Sequence, residues 1–204
     1  MTPGERAVVR GRHLKLLVTS LEAWEGGARA LALAPPETLR AVAAANGLDW
    51  LPVAMNLRLT QAIYDGLGAA TADRFFRAHT VASLDGPVLR TLVVTAVRIL
   101  GLDPASFARW VPRAWHMLFR ETGEWSVAGA GPAAAVLTLA HLPLACAEHP
   151  VWLRSVARSL DAVLDLAKVE GAVELAPRGQ GASQAVFRLR WTPRREPSAP
   201  IPPP

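Results

Sequence analysis

The residues able to do chemistry are few and scattered. Five histidines and one cysteine are spread over 204 residues. His13, His79, His116, His141 and His149 form no i, i+4 pair with another metal ligand, so no zinc site is predicted. Cys146 stands alone, which excludes an internal disulfide and a multi-cysteine metal site, and no neighbour in sequence marks it as a thiolate nucleophile. GxSxG, HExxH, CxxC and Walker A patterns are absent. "GAGPAA" half-matches a dinucleotide fingerprint, with Gly129, Gly131 and Ala134 after an alternating run and Glu148 further on. That chemistry requires a helix opening at the second glycine, aiming its N–H groups at a pyrophosphate. The few residues before Pro143 favour a strand instead, and a plain hairpin turn is predicted. His141 shares the parity of Leu137 and Leu139, which turns it toward the apolar side of a sheet. A satisfied core or rim histidine is the ordinary outcome; a proton-transfer role would require a carboxylate such as Glu148 within hydrogen-bond reach.

The aromatic residues carry the stronger signal. Seven tryptophans stand against one tyrosine. Trp110 lies on the apolar face of a predicted helix, and Trp125, Phe187 and Trp191 have inward parity on predicted strands. Such residues pack helix on sheet, or they wall a pocket between the two layers. Trp110, Trp125, His141, Phe187 and Trp191 are therefore the ligand-pocket candidates. A separate motif lies in the tail: Arg194, Pro197 and Pro200 follow the R-x-x-P-x-x-P spacing that suits SH3-like grooves, and are the candidates for binding a protein partner.

These positions depend on the elements that carry them. From His13, the spacing of Leu14, Leu17, Leu21 and Trp24 predicts a helix that "GG" at 26–27 stops. "PPETLRAVAAANG" starts with prolines suited to a first turn and ends on a C-terminal Asn-Gly signal. "LPVAMNLRLTQAIYDGLG" is apolar apart from a narrow polar strip at Asn56, Arg58, Gln61 and Asp65, and Thr71 opens the next helix. "PVLRTLVVTAVRILG" is the most apolar helix, too short for a membrane span and predicted to be central and buried. Asp103-Pro104 caps a helix with Phe107, Trp110, Ala114 and Leu118 inward and Arg109, Arg113, His116 and Arg120 outward.

The period then changes. "EWSVAGAGPAAAVLTLAHLP" predicts two strands, and "PVWLRSVARSLDAVLDLAKV" a helix with Trp152, Val156, Leu160, Val163, Leu164 and Ala167 on one face and Arg154, Arg158, Asp161 and Asp165 on the other. "VEGAVELAPRGQGASQAVFRLRW" closes as a hairpin whose odd positions are apolar. The expected class is α+β: a helical part over 13–120 packed on a four-stranded antiparallel sheet in ββαββ order over 121–191. Residues 1–192 form one domain, and 193–204 a disordered proline-rich tail.

The net charge of +5 is confined to the ends. Residues 1–12 contribute +2 and residues 188–196 contribute +3, so the body is neutral. No basic stripe with interleaved aromatics appears, and nucleic acid is not expected as a partner. A single cysteine and a charged N-terminus without an apolar run point to a reducing compartment and a cytoplasmic location.

Across residues 6–191 the segments "VVRGRHL", "LPVAMNLRLTQAIYDGLG", "SLDGPVLRTLVVTAVRILG", "GEWSV", "LTLAHLP" and "FRLRW" resemble a family of paralogues of unknown function restricted to myxobacteria and their relatives. The layout is also similar to haem–nitric oxide binding domains and to 4-vinyl-reductase and TRAPP-type domains, which end in helix–strand–strand. The haem-binding relatives carry a proximal histidine and a Y-x-S-x-R motif. Here the single tyrosine is Tyr64, and "AAAVLTLAHLP" offers no arginine, so no haem residue carries over and no cofactor is expected. The cysteine pairs that often close 4-vinyl-reductase-type domains are missing too. The resemblance implies a fold and a habit of sensing or adaptor work. The function expected is a non-enzymatic sensory or regulatory module, holding a small apolar ligand or a protein partner; the alternative is a structural adaptor that self-associates without a ligand.

Overall fold

The computed structural model describes residues 6–84, 103–179 and 181–193. The apolar run at 87–101 and the partner candidates Arg194, Pro197 and Pro200 lie outside the described residues. The N-terminal part contains β1 (Val8–Arg10), α1 (Gly11–Glu22), α2 (Gly27–Leu33), α3 (Pro36–Ala44), β2 (Trp50–Pro52), α4 (Val53–Leu67) and α5 (Ala69–Leu84). After the undescribed stretch come α6 (Pro104–Leu118) and β3 (Phe119–Arg120).

Two features depart from the helical reading of residues 13–120. The glycine pair does more than stop α1: Gly26, at φ +78°, caps the start of α2. And β1 pairs antiparallel with both β2 and β3 in a small second sheet. Strands of two or three residues carry too little alternation to be read from a pattern. The sheet holds because Val9 is fully buried and because the Arg10 and Arg120 guanidinium carbons lie 3.8 and 4.2 Å from the Trp50 ring centroid. Gly66 permits the close approach of α4 to α2, since a Cβ there would meet Ala30 Cα at 2.5 Å.

The C-terminal part follows the predicted order. β4 (Glu124–Ala128) and β5 (Ala134–Ala140) form a hairpin, closed by Gly131 N–H donating to Ala134 O at 2.9 Å, so the glycine-rich stretch is a turn. A short α7 (Leu144–Ala147) leads into α8 (Pro150–Leu166), then β6 (Gly171–Leu175) and β7 (Ala185–Trp191). The sheet is antiparallel with strand order β4-β5-β7-β6. Leu137 sits opposite Phe187 and Val173 opposite Leu189, and all four side chains are buried. Arg188 and Arg190 face away and are exposed.

α8 is covered on two sides, by the sheet and by α4 and α5. That decides the surroundings of its polar face. Asp161 is buried: its Oδ1 accepts from Val173 N–H at 2.8 Å and its Oδ2 lies 2.9 Å from Arg158 Nη1. Arg158 also donates to Val173 O. β6 is an edge strand, so its outer backbone groups lack a strand partner, and this pair satisfies those of Val173. Asn56, on the narrow polar strip of α4, is also buried and accepts from Trp152 Nε1 at 2.8 Å, joining α4 to α8. Along the outer edge Arg154 pairs with Asp73 at 2.6 Å, and Arg77 with Asp165.

Among the described residues, no helix is long and apolar enough to cross a membrane.

The buried parity of β7 has a direct consequence. Phe187→Ala should destabilise the protein by about 3–5 kcal/mol, whereas Arg188→Ala should change stability by no more than about 0.5 kcal/mol. Equilibrium denaturation of the two variants checks the register.

Candidate functional site

A cavity of about 210 Å³ lies where α1, α4, α5, α6 and α8 converge over the edge of the main sheet. α6 supplies one wall because its apolar stripe is continuous. Asp103 caps it, accepting from Ala105 and Ser106 N–H at 3.3 and 3.1 Å, and Pro104 occupies the first turn. Phe107, Trp110, Val111, Ala114, Trp115 and Leu118 then border the cavity, while Arg109, Arg113 and His116 remain exposed on the opposite face. α8 forms the facing wall through Trp152, Val156, Leu160 and Val163.

The pocket candidates divide. Trp110 and Trp125 border the cavity. Phe187 stands one layer behind, fully buried, with its ring centroid 5.2 Å from that of Trp125. Trp191 is buried at the end of β7, where it pairs with Gly171, and does not border the cavity. His141 departs from its expected parity. Its φ of +56° breaks the strand alternation, leaving His141 exposed and the next residue, Leu142, buried. The cavity is thus walled mostly by helices, with Trp125 as its contact to the four-stranded sheet.

Sequence reasoning missed three wall residues. Trp115 stacks on Phe119 at 4.2 Å, meets Trp125 edge-on at 5.5 Å and donates its Nε1–H to Thr122 Oγ1 at 3.0 Å. His13 and His79 both border the cavity, with ring centroids 6.1 Å apart. A signal existed for each: His13 lies four residues before Leu17 on the α1 stripe, and His79 lies four residues after Phe75 on α5. Their meeting, sixty-six positions apart, is purely tertiary.

The two imidazoles differ in their surroundings. His79 is buried, stacked on Phe75 at 5.7 Å, with Nδ1 2.9 Å from Ser20 Oγ and Nε2 3.5 Å from Ser83 Oγ. His13 touches Phe119 edge-on at 5.3 Å, and among the described residues neither of its ring nitrogens has a hydrogen-bond partner. Burial lowers the pKa of His79 to about 4. Burial, and secondarily the neighbouring His79, lowers that of His13 to about 3. Both are neutral at pH 7, each ring offering one N–H donor and one lone pair. Among the described residues, none bordering the cavity carries a formal charge. Thr60 Oγ1 and Trp125 Nε1, both in wall residues, are buried without a hydrogen-bond partner.

Reactive groups are not assembled here. Burial pushes the Cys146 thiol up to about 12, which keeps it protonated and inert. Among the described residues, no group of three or more histidine, cysteine or carboxylate side chains can hold a metal ion.

No family model matches the sequence, and no curated protein is significantly similar to it. Solved structures are similar in fold. The Fe(II) unliganded H-NOX protein from K. algicida superposes with a TM-score of 0.63 at 9% identity, over 91% of this chain and 97% of that one. A mutant of the T. tengcongensis H-NOX gives 0.58 at 11% identity, over 90% and 98%. A structure solved to probe haem distortion in the H-NOX family gives 0.59 at 12%, over 93% and 99%. At such identities the likeness concerns the fold alone: an H-NOX-like α+β layout along nearly the whole chain.

That fold brings haem into question, and the described residues do not fit it. A cavity of roughly 150 Å³ takes benzene; one of about 210 Å³ has room for a somewhat larger single ring, not for a tetrapyrrole macrocycle. No cationic side chain among the described wall residues stands ready for a propionate, although His13 and His79 supply imidazoles.

Two outcomes follow. Protein reconstituted with haem and desalted should show no stoichiometric Soret band. The histidines also set an acid limit: their folded pKa values lie below the unfolded value of about 6.5, so the unfolded chain binds more protons as pH falls. Stability is complete above about pH 6.5 and declines from there toward pH 4 and 3. His79→Gln should remove about 2 kcal/mol of the loss between pH 7 and 4.5, read by denaturation at both values.

Proposed function

We propose that the chain is a non-enzymatic sensory or regulatory module that holds a small apolar ligand in the cavity between α1, α5, α6 and α8. The single observation that supports this most is the cavity itself. Close packing is the rule in protein interiors, and a cavity lined by seven phenylalanine and tryptophan rings forfeits dispersion contacts that an occupant would restore. The position supports a regulatory role. An occupant would touch helices from both halves of the chain, so its presence would be felt at the α5–α8 contact that the Arg154–Asp73 and Arg77–Asp165 pairs close at the surface.

A protein partner belongs to the same reading, as the receiver of the signal. By spacing alone, Arg194, Pro197 and Pro200 are the segment such a partner would bind. Membership of the myxobacterial family of paralogues is likewise proposed on the quoted segments.

Benzene in excess should raise the melting temperature of the unaltered protein by about 3 °C. It should leave Ala114→Phe, in which a ring fills the cavity, unshifted. A melting temperature indifferent to benzene in the unaltered protein would favour the ligand-free adaptor instead.

A further inference from the structure

The wall of the cavity is mostly apolar and aromatic, with a few polar side chains among its described residues. His13 borders the cavity, and both of its ring nitrogens lack a hydrogen-bond partner among the described residues. Ser159 Oγ and Trp110 Nε1 also border the cavity without a partner among the described residues, an indole N–H being able only to donate; the other polar side chains are differently placed. His79 is engaged with Ser20, Thr80 donates to Phe76 O, and Ser155 donates to Trp152 O. The orphaned atoms of Thr60 and Trp125 are buried within the wall.

We propose that the occupant is a small, neutral, single-ring aromatic alcohol whose hydroxyl meets His13. The assignment deepens the small-ligand reading and rests on it. Each part of the ligand answers to a feature of the wall. The ring answers to Phe76, Phe107, Trp110, Trp115 and Trp125, which favour offset-stacked or edge-on contact with another aromatic face. The size follows from a volume of about 210 Å³, larger than a benzene site and smaller than a bicyclic drug pocket. Neutrality follows because no Asp, Glu, Lys or Arg among the described residues borders the space, so an ionised ligand would be desolvated without a counter-charge.

The hydroxyl answers to the imidazole. A neutral ring presents one donor and one acceptor, and a phenolic O–H can serve either nitrogen. Burial, which keeps the ring uncharged, also makes an unmet nitrogen costly once a ligand excludes water. A hydrocarbon of equal shape would strand His13 and should bind more weakly by about tenfold.

Calorimetric titration of the full chain with p-cresol and with p-xylene at pH 7 tests this, since the two differ by a hydroxyl in place of a methyl. The expected result is one site for each, with p-cresol bound about tenfold more tightly, and the preference lost in His13→Leu while p-xylene binding is retained. Equal affinities in the unaltered protein would overturn the hydroxyl assignment and leave the apolar site standing. A preference that survives in His13→Leu would also overturn it, because the contact would then lie elsewhere. Binding of neither compound would overturn the small-ligand reading and this assignment together. Should His13→Leu fail to fold, His13→Met takes its place in the same comparison.

Discussion

The structure depends on one helix being covered on two sides. α8 lies between the four-stranded sheet and the helices α4 and α5, so both its apolar stripe and much of its polar stripe must be accommodated inside the protein. Trp152 meets the requirement on the helical side: it is almost fully buried and donates its one polar hydrogen to Asn56 on α4. Arg158 and Asp161 meet it on the sheet side by binding the outer backbone of β6. A buried carboxylate is tolerable only because a guanidinium and a backbone N–H satisfy it, and burial still raises its pKa above the ordinary carboxylate range. Leaving either partner alone would strand a charge, so the pair acts as a registration device between helix and edge strand.

With α8 held this way, the room between it and α6 is set by the rings that separate them. Trp115, Phe119, Trp125 and Trp152 contact one another at centroid distances from 4.2 to 6.5 Å and brace one end of the cavity. Large rigid rings braced against each other do not collapse into a neighbouring void as flexible aliphatic chains would. The two histidines belong to the same wall. Kept neutral by burial, they add hydrogen-bonding capacity without introducing charge.

The residue environments that local pattern leaves open have a physical explanation. Asn56 and Asp161 sit on polar strips, and a polar strip on an isolated amphipathic helix faces water. On a helix covered twice it faces a second layer, which the helical period cannot reveal. His141 obeys strand parity up to the last residue of β5 and then leaves it, because a left-handed backbone conformation reverses the side to which the chain turns. The short strands β1, β2 and β3 escaped notice for another reason: their pairing partners are distant in sequence, and their lengths hold barely one period.

By itself the sequence determined what local periodicity and capping can determine: the helices α1, α3, α4, α5, α6 and α8, the two hairpins, and the buried face of β7. It also determined that the charge lies at the ends and that reactive side chains are dispersed. Tertiary structure alone decided which aromatic residues border a cavity and which merely pack behind it. Trp110, Trp125 and Trp191 look alike along the chain, yet only the first two reach the space between α6 and α8. Tertiary structure also brought His13 beside His79. Periodicity reports which face of an element is covered; what covers it depends on contacts among residues far apart in the chain, and there no local pattern reaches.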